Sequence, residues 1–264
     1  TSPRTDAMLA LTGDKSFIEA PGGNAFLMYG VQGRTWVVMG DPVGPPYTWA
    51  DLLWMVRTAA DARSARLLLY QISSAALGLA IEQGLTIIKY GEEALVDLKR
   101  FNLANPHLRN LRRASRRASR EGARFRVVPV VDVPPLLPVL REISAEWLSA
   151  KRQREKSFSV GAFDEAYLSQ FDCAVIERGD RLLAFANIWI TADKEELSVD
   201  LMRHRRDVPS GTMDLLFAEL MRWGRDQGFA RFNLGMAPLA GIDARALAPR
   251  WAKIMSFLFR HGER

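Results

Sequence analysis

Two stretches of the chain carry side chains whose type and spacing can do chemistry. The first, His107 to Arg124, reads HLRNLRRASRRASREGAR. At 100° per residue, Arg109, Arg112, Arg113, Arg116, Arg117 and Arg120 fall within less than half of a helix circumference, with Leu111, Ala114 and Ala118 opposite. No acidic residue stands at i+4 within the stripe to neutralise it, as on an ordinary solvated face. Every one of these cations is arginine, whose planar fork matches phosphate oxygens. The stripe is read as a phosphate-binding face, with an unpartnered solvated helix as the plainer alternative. RNA and anionic lipid both present phosphates, and the pattern does not separate them. No aromatic residue is interleaved, unlike a base-stacking platform. The second stretch is SVDLMRH, Ser198 to His204. In a strand, Asp200 and Met202 face one way and Leu201 and Arg203 the other, unless a bulge intervenes. A carboxylate in an apolar strand is costly unless paired. Asp200 is therefore either a member of a structural ion pair or a ligand for a cationic group.

Other chemistries find little support. His107, His204 and His261 are scattered, no Ser-centred elbow motif occurs, and Cys173 is the single cysteine. No metal and no cofactor is expected, nor a disulfide within the chain; a reducing, cytoplasmic setting fits. With 264 residues, 48% of them hydrophobic, the chain can bury one large core or two smaller ones. Lys and Arg outnumber Asp and Glu by 36 to 30, so the average surface attracts anions. No run of 18 apolar residues and no export leader is visible, and a membrane role is expected to be peripheral or supplied by another segment.

The elements that must position these residues follow a repeated order. AFLMYGV and TWVVMGD flank Gln32-Gly33-Arg34 and read as a hairpin, and Thr48 opens the helix TWADLLWMVRTAADAR with Asp51 in capping-box position. The strand LLLYQIS, a short helix stopped at Gly84 and the segment LTIIKYGEEALVDL follow. After the basic helix come strands CAVIERG, LLAFANIWI and ELSVDLMRH, a Pro-Ser-Gly turn, the helix TMDLLFAELMRWGRDQG, the strand RFNLGMA and a last helix up to Phe259. This order predicts a mixed α/β protein of two related units joined by the basic helix: 1–104, 105–124 and 125–264. One irregular α/β domain is the competing reading.

The turn RHRRDVPSGTMDLL has the placement of the pyrophosphate loop in N-acetyltransferases of the GNAT type, where a helix N-terminus receives an anion. Its composition does not suit that task, because Gly211 stands alone and Asp214 would compete with a phosphate. A GNAT-like scaffold that has given up acetyl-CoA is expected.

Further motifs are LTGDKSF, AFLMYGVQGRTWVVMGDPVGP, LRNLRRASRRASREG, the run from SVDLMRH to NLGMAPLAG, and FRHGE. Together they resemble the cytosolic catalytic region of the bacterial aminoacyl-phosphatidylglycerol synthases, the multiple peptide resistance factors, in order and over nearly the whole chain. The resemblance implies a tandem GNAT-like acyltransferase fold. It implies transfer of lysine or alanine from aminoacyl-tRNA to phosphatidylglycerol, which lowers membrane negative charge and protects against cationic antimicrobial peptides. It places the region at the cytoplasmic face of the bacterial inner membrane, preceded by a transmembrane flippase segment. It puts catalytic weight on Asp200, Arg203, Tyr167 and Glu263, and adds Ser119 to the arginine stripe as a contact for tRNA or lipid phosphate. Asp200 would hold the α-ammonium of the aminoacyl group, Arg203 a lipid phosphate or the oxyanion, and Tyr167 would line the site. Family members continue past His261-Gly262-Glu263 into a lysine-containing segment, so the 264 residues alone are expected to transfer weakly or not at all. The rival functions are an acetyl-CoA-dependent N-acetyltransferase, a non-catalytic module for anionic membranes, and a tRNA-dependent transferase acting on peptidoglycan or protein.

Overall fold

The structure is a computed structural model that describes residues 2–152 and 154–241. Strands β1 (Ser16–Glu19), β2 (Phe26–Gln32) and β3 (Thr35–Met39) form an antiparallel meander. The β2–β3 turn is the expected one: Gln32 pairs with Thr35, and Gly33 takes a φ of +59° that a side chain would disfavour. Helix α1 (Trp49–Asp61) then crosses to β4 (Arg66–Tyr70), which lies parallel to β3 and completes a four-stranded sheet. The capping box does not form, because the Thr48 hydroxyl turns back to donate to the Pro45 carbonyl at 2.7 Å. A short helix α2 (Leu77–Glu82) ends near Gly84, at a φ of +72°.

The second sheet has six strands. Strands β6 (Arg124–Val128), β7 (Cys173–Arg178), β8 (Arg181–Ile190) and β9 (Glu196–His204) are antiparallel neighbours. Helix α6 (Thr212–Asp226) crosses to β10 (Arg231–Pro238), parallel to β9. The unit β2–β3–α1–β4 thus returns as β8–β9–α6–β10, a hairpin followed by a helical crossover to a parallel strand. Between the sheets in sequence lie the basic helix α3 (Arg109–Arg120) and, after β6, helices α4 (Leu137–Lys151) and α5 (Glu165–Leu168).

One element corrects the sequence reading. Residues 91–97, read with the first unit, form β5 (Gly91–Asp97) on the outer edge of the second sheet, antiparallel to β10. Its exposed Glu92 and Glu93 suit an edge, which charge protects from further pairing, and pattern alone does not say which sheet an edge strand joins. The 1–104 span therefore contributes a strand to the second sheet. The expected last helix and Glu263 lie outside the described residues.

Among the described residues, three apolar cores hold the elements. One fills the space between the first sheet and α1, with Leu27, Val38, Leu52 and Val56 buried. A second joins one face of the six-stranded sheet to α3 and α6 through Leu111, Ala118, Leu216, Leu220 and Phe232. The third lies between the sheets: Met28 and Met39 of the first meet Phe185, Trp189 and Leu201 of the second, with Leu140 and Ile143 of α4 and Tyr167 of α5. Each fully buried side chain of this size contributes roughly 1.5–3 kcal/mol. The seam is thus a shared core.

Candidate functional site

Strand β9 carries a bulge opposite β8. Its pairing with β8 shifts register between Ala186 and Ile188, and the Asn187 side-chain carbonyl accepts the Leu201 N–H at 2.8 Å to hold the bulge. The bulge breaks the period of two. Val199 and Met202 pack on the α3–α6 face, while Leu201 belongs to the core between the sheets. Asp200 reaches Tyr167 of α5, and Arg203 lies over Trp147 of α4. Simple alternation would have set Asp200 and Arg203 on opposite faces; the bulge brings both to the seam.

At the seam Asp200 is tightly held. Oδ2 accepts the Tyr167 hydroxyl at 2.7 Å and Oδ1 accepts the Gly161 N–H at 2.8 Å. Trp189 Nε1 donates to the Tyr167 oxygen at 3.0 Å, which fixes the phenol from behind. A Cβ at Gly161 would lie 2.1 Å from Asp200 Oδ2, so only glycine permits this approach. Burial pushes the Asp200 carboxyl above the usual carboxylate range, opposed by the Gly161 and Tyr167 hydrogen bonds and the charges of Arg203 and Lys15. Burial, with the adjacent Asp200 charge, also raises the Tyr167 phenol well above its ordinary value.

Arg203 stacks on Trp147, with Cζ 4.2 Å from the ring centroid, and pairs with Glu155 at 3.3 Å. Burial pulls its guanidinium below the ordinary arginine value, against the charges of Glu155 and Asp200. Its Nε has no hydrogen-bond partner among the described residues, and neither has Asn187 Nδ2. Both are buried donors beside Asp200 and Tyr167, which makes this a site able to receive an anion next to a carboxylate.

Helix α3 is amphipathic as expected, but its arginines are not equivalent. Arg112 donates to the carbonyls of Leu103 and Asn105 and clips the preceding linker. Arg117 pairs with Glu121 at 3.0 Å, an i+4 partner that the sequence reading of an uncompensated stripe overlooks because Glu121 lies just past the last helical residue. Arg109, Arg113, Arg116 and Arg120 are exposed and have no carboxylate partner among the described residues. Together with Arg112 and Arg117 they line one open groove. The Ser119 hydroxyl donates to the Ser115 carbonyl at 3.1 Å within the helix.

The other face of α3 explains Gly211. At a φ of +89° it begins α6, and a Cβ there would lie 2.4 Å from the Ala114 carbonyl oxygen. The lone glycine serves close packing of α3 on α6, where a coenzyme loop would need its backbone free for phosphate. His204 Nδ1 is within 2.7 Å of the Arg205 carbonyl, and among the described residues no group of three or more His, Cys, Asp or Glu side chains could hold a metal.

Of the residues singled out in the sequence, Asp200, Arg203 and Tyr167 come together at the seam, whereas the arginines and Ser119 lie on α3, across the six-stranded sheet from them. Sequence reasoning missed Gly161, Trp189, Asn187, Lys15, Glu155 and Trp147. Trp189 alone had a signal: an indole in an apolar strand needs an acceptor for its N–H.

Residues 1–264 match the family described as phosphatidylglycerol lysyltransferase, C-terminal. A phosphatidylglycerol lysyltransferase of Bacillus subtilis is 38% identical over 250 residues, covering 93% of this chain and 28% of the relative. One of Staphylococcus aureus is 30% identical over 254 residues, covering 96% of this chain and 30% of the relative. The chain thus spans under a third of the length of the curated relatives it matches. The solved L-PGS of Bacillus licheniformis superposes with a TM-score of 0.87 at 35% identity, covering 96% of this chain and 78% of that one.

Proposed function

Because the chain belongs to the phosphatidylglycerol lysyltransferase C-terminal family, we propose that it transfers an amino acid, lysine by the names of its relatives, from aminoacyl-tRNA to phosphatidylglycerol. The observation that carries this reading is the β9 bulge, which sets a half-buried carboxylate, Asp200, and a half-buried guanidinium, Arg203, on one face of the seam.

In the proposed reaction a glycerol hydroxyl of the lipid attacks the ester carbonyl that joins the amino acid to the ribose of tRNA. A new bond forms between the acyl carbon and the lipid oxygen, the bond between the acyl carbon and the ribose oxygen breaks, and the hydroxyl proton passes to the leaving ribose oxygen. An ester is exchanged for an ester, so no nucleotide need be hydrolysed, and the protein supplies position and charge. Asp200, with both oxygens already fixed, receives the α-ammonium of the aminoacyl group. Arg203 offers its unpartnered Nε to the lipid phosphate or the oxyanion, and its aromatic seat on Trp147 holds the guanidinium plane. Tyr167 orients Asp200; its raised pKa keeps the phenol protonated and donating.

The four arginines of α3 that have no carboxylate partner among the described residues form a separate phosphate face, which would take the acceptor arm of tRNA. Glu263 belongs to the same proposed machinery. In the complete protein we place the region at the cytoplasmic face of the bacterial inner membrane, behind a transmembrane flippase segment, where the product would reduce membrane negative charge and resist cationic peptides. Acetyl-CoA is disfavoured by the packing of α3 on Gly211.

The deciding experiment incubates the complete protein with radiolabelled lysyl-tRNA or alanyl-tRNA and vesicles containing phosphatidylglycerol, then extracts the lipid. Label in aminoacyl-phosphatidylglycerol is expected with lysyl-tRNA and is lost in Asp200→Asn. Vesicle binding without transfer in the complete protein would overturn the reading in favour of a surface module.

A further inference from the structure

We propose that Asp14 and Lys15, in the turn leading into β1, are positioning residues for Asp200: they clasp the 157–161 segment whose Gly161 N–H fixes that carboxylate. The proposal rests on the functional reading of Asp200 given above, but its geometry stands apart from any substrate.

The clasp is built from the first unit. The Lys15 side chain is wholly withdrawn from solvent. Its ammonium donates to Thr12 Oγ1 at 3.0 Å, pairs with Asp14 and sits 5.4 Å from the centroid of the Phe158 ring. The second Asp14 oxygen accepts the Phe158 N–H at 2.8 Å. The Phe158 ring packs on β2, where a Cβ at Gly30 would lie 3.0 Å from a ring carbon. A buried ammonium survives only where it is paired, and here hydroxyl, carboxylate and ring supply the partners.

The segment so clasped is not relaxed. Phe158 takes a φ of +74°, a conformation that a bulky residue keeps only when its surroundings impose it. Asp14, Lys15 and Gly30 impose it from the first unit. Three residues later, Gly161 donates to Asp200 on the second sheet. A contact that served only to join the units would not need to end on the one carboxylate held at the bulge.

The clasp also acts through charge. Asp200 faces Arg203 on its own strand, the Tyr167 hydroxyl from α5, the Gly161 N–H and, from the first unit, Lys15; Glu155 stands behind Arg203. Arg203 is partly neutralised by Glu155 and Lys15 by Asp14, so the charge of Lys15 adds only a minor share to keeping Asp200 ionised, and the clasp acts chiefly by holding the Gly161 N–H on the carboxylate.

The test follows the Gly161 amide, whose nitrogen shift reports the ionisation of the carboxylate it touches, through a pH titration by NMR. In Lys15→Met the midpoint should rise by about half a unit or more. The acid limb of transfer should move with it, and Lys15→Arg should restore both. Should Lys15→Met not fold, Lys15→Gln keeps a hydrogen-bonding end without the charge and should show the same rise. A Gly161 amide that titrates at the wild-type midpoint in Lys15→Met or Lys15→Gln would overturn the proposal and leave Lys15 as a strut. Because the amide readout needs no substrate, a shifted midpoint in a complete protein that does not transfer would leave the clasp standing and remove the transferase reading. Normal transfer with no shift would do the reverse.

Discussion

Asp200 is held by two hydrogen bonds and opposed by burial, and that conflict marks it as a residue kept for use. Its pKa is higher in the folded protein than in the unfolded chain. The stability contributed by its neutral form is therefore present below the unfolded value and lost as pH rises through the folded one. At neutral pH the ionised group costs stability. Asp200→Asn should leave the thermal midpoint at pH 7 unchanged or raise it, while reducing transfer at least ~100-fold; a lowered midpoint would identify Asp200 as a structural ion-pair member instead. Ammonium binding needs the carboxylate, so transfer in the wild type should fall with acid at a pH above the ordinary aspartate range. Gly161→Ala is a second residue-scale test. Its methyl would meet Asp200 Oδ2, and transfer should collapse with only modest loss of melting temperature in calorimetry, because the displaced groups lie at the site.

At the scale of elements, α3 has two faces with different tasks. Its inner face presents Ala114 to Gly211 so closely that Gly211→Ala must part the helices or strain a left-handed residue; a loss of about 2–4 kcal/mol is expected in urea denaturation. The outer face carries Arg109, Arg113, Arg116 and Arg120 without carboxylate partners among the described residues. If tRNA phosphates lie there, each Arg→Ala change should reduce the slope of log affinity against log salt by about one, measured by filter binding. Arg117→Ala, whose charge is already paired with Glu121, should change the slope less. A slope that ignores all four exposed arginines would assign the stripe to solvent.

At the scale of the molecule, the segment ahead of β1 is strapped to the second sheet by polar bonds at Glu196. Glu196 on β9 is 1% exposed and accepts Thr5 N–H at 2.8 Å, the Thr5 hydroxyl at 2.7 Å and Arg231 Nε at 2.9 Å. These bonds lower its pKa in spite of burial. The resulting stability is present above the unfolded value and disappears as pH falls through the folded one. Glu196→Gln should cost about 1.5–3 kcal/mol at neutral pH and flatten the acid side of the stability profile, read from denaturant midpoints.

The sequence by itself determined the element order, the hairpin at Gly33, the two-faced basic helix, the spacing of Asp200 and Arg203 and the family. Each of these is local, set by turn chemistry, by periodicity or by a contiguous motif. Tertiary structure alone decided that Asp200 and Arg203 share a face, since a bulge needs a partner strand to define it. It alone placed β5 in the second sheet, spent Gly211 on helix packing, and brought Gly161 and Lys15 to a carboxylate far away in the chain. Those outcomes depend on which surfaces meet, and residues remote in sequence carry no local signal of the neighbour that folding will give them.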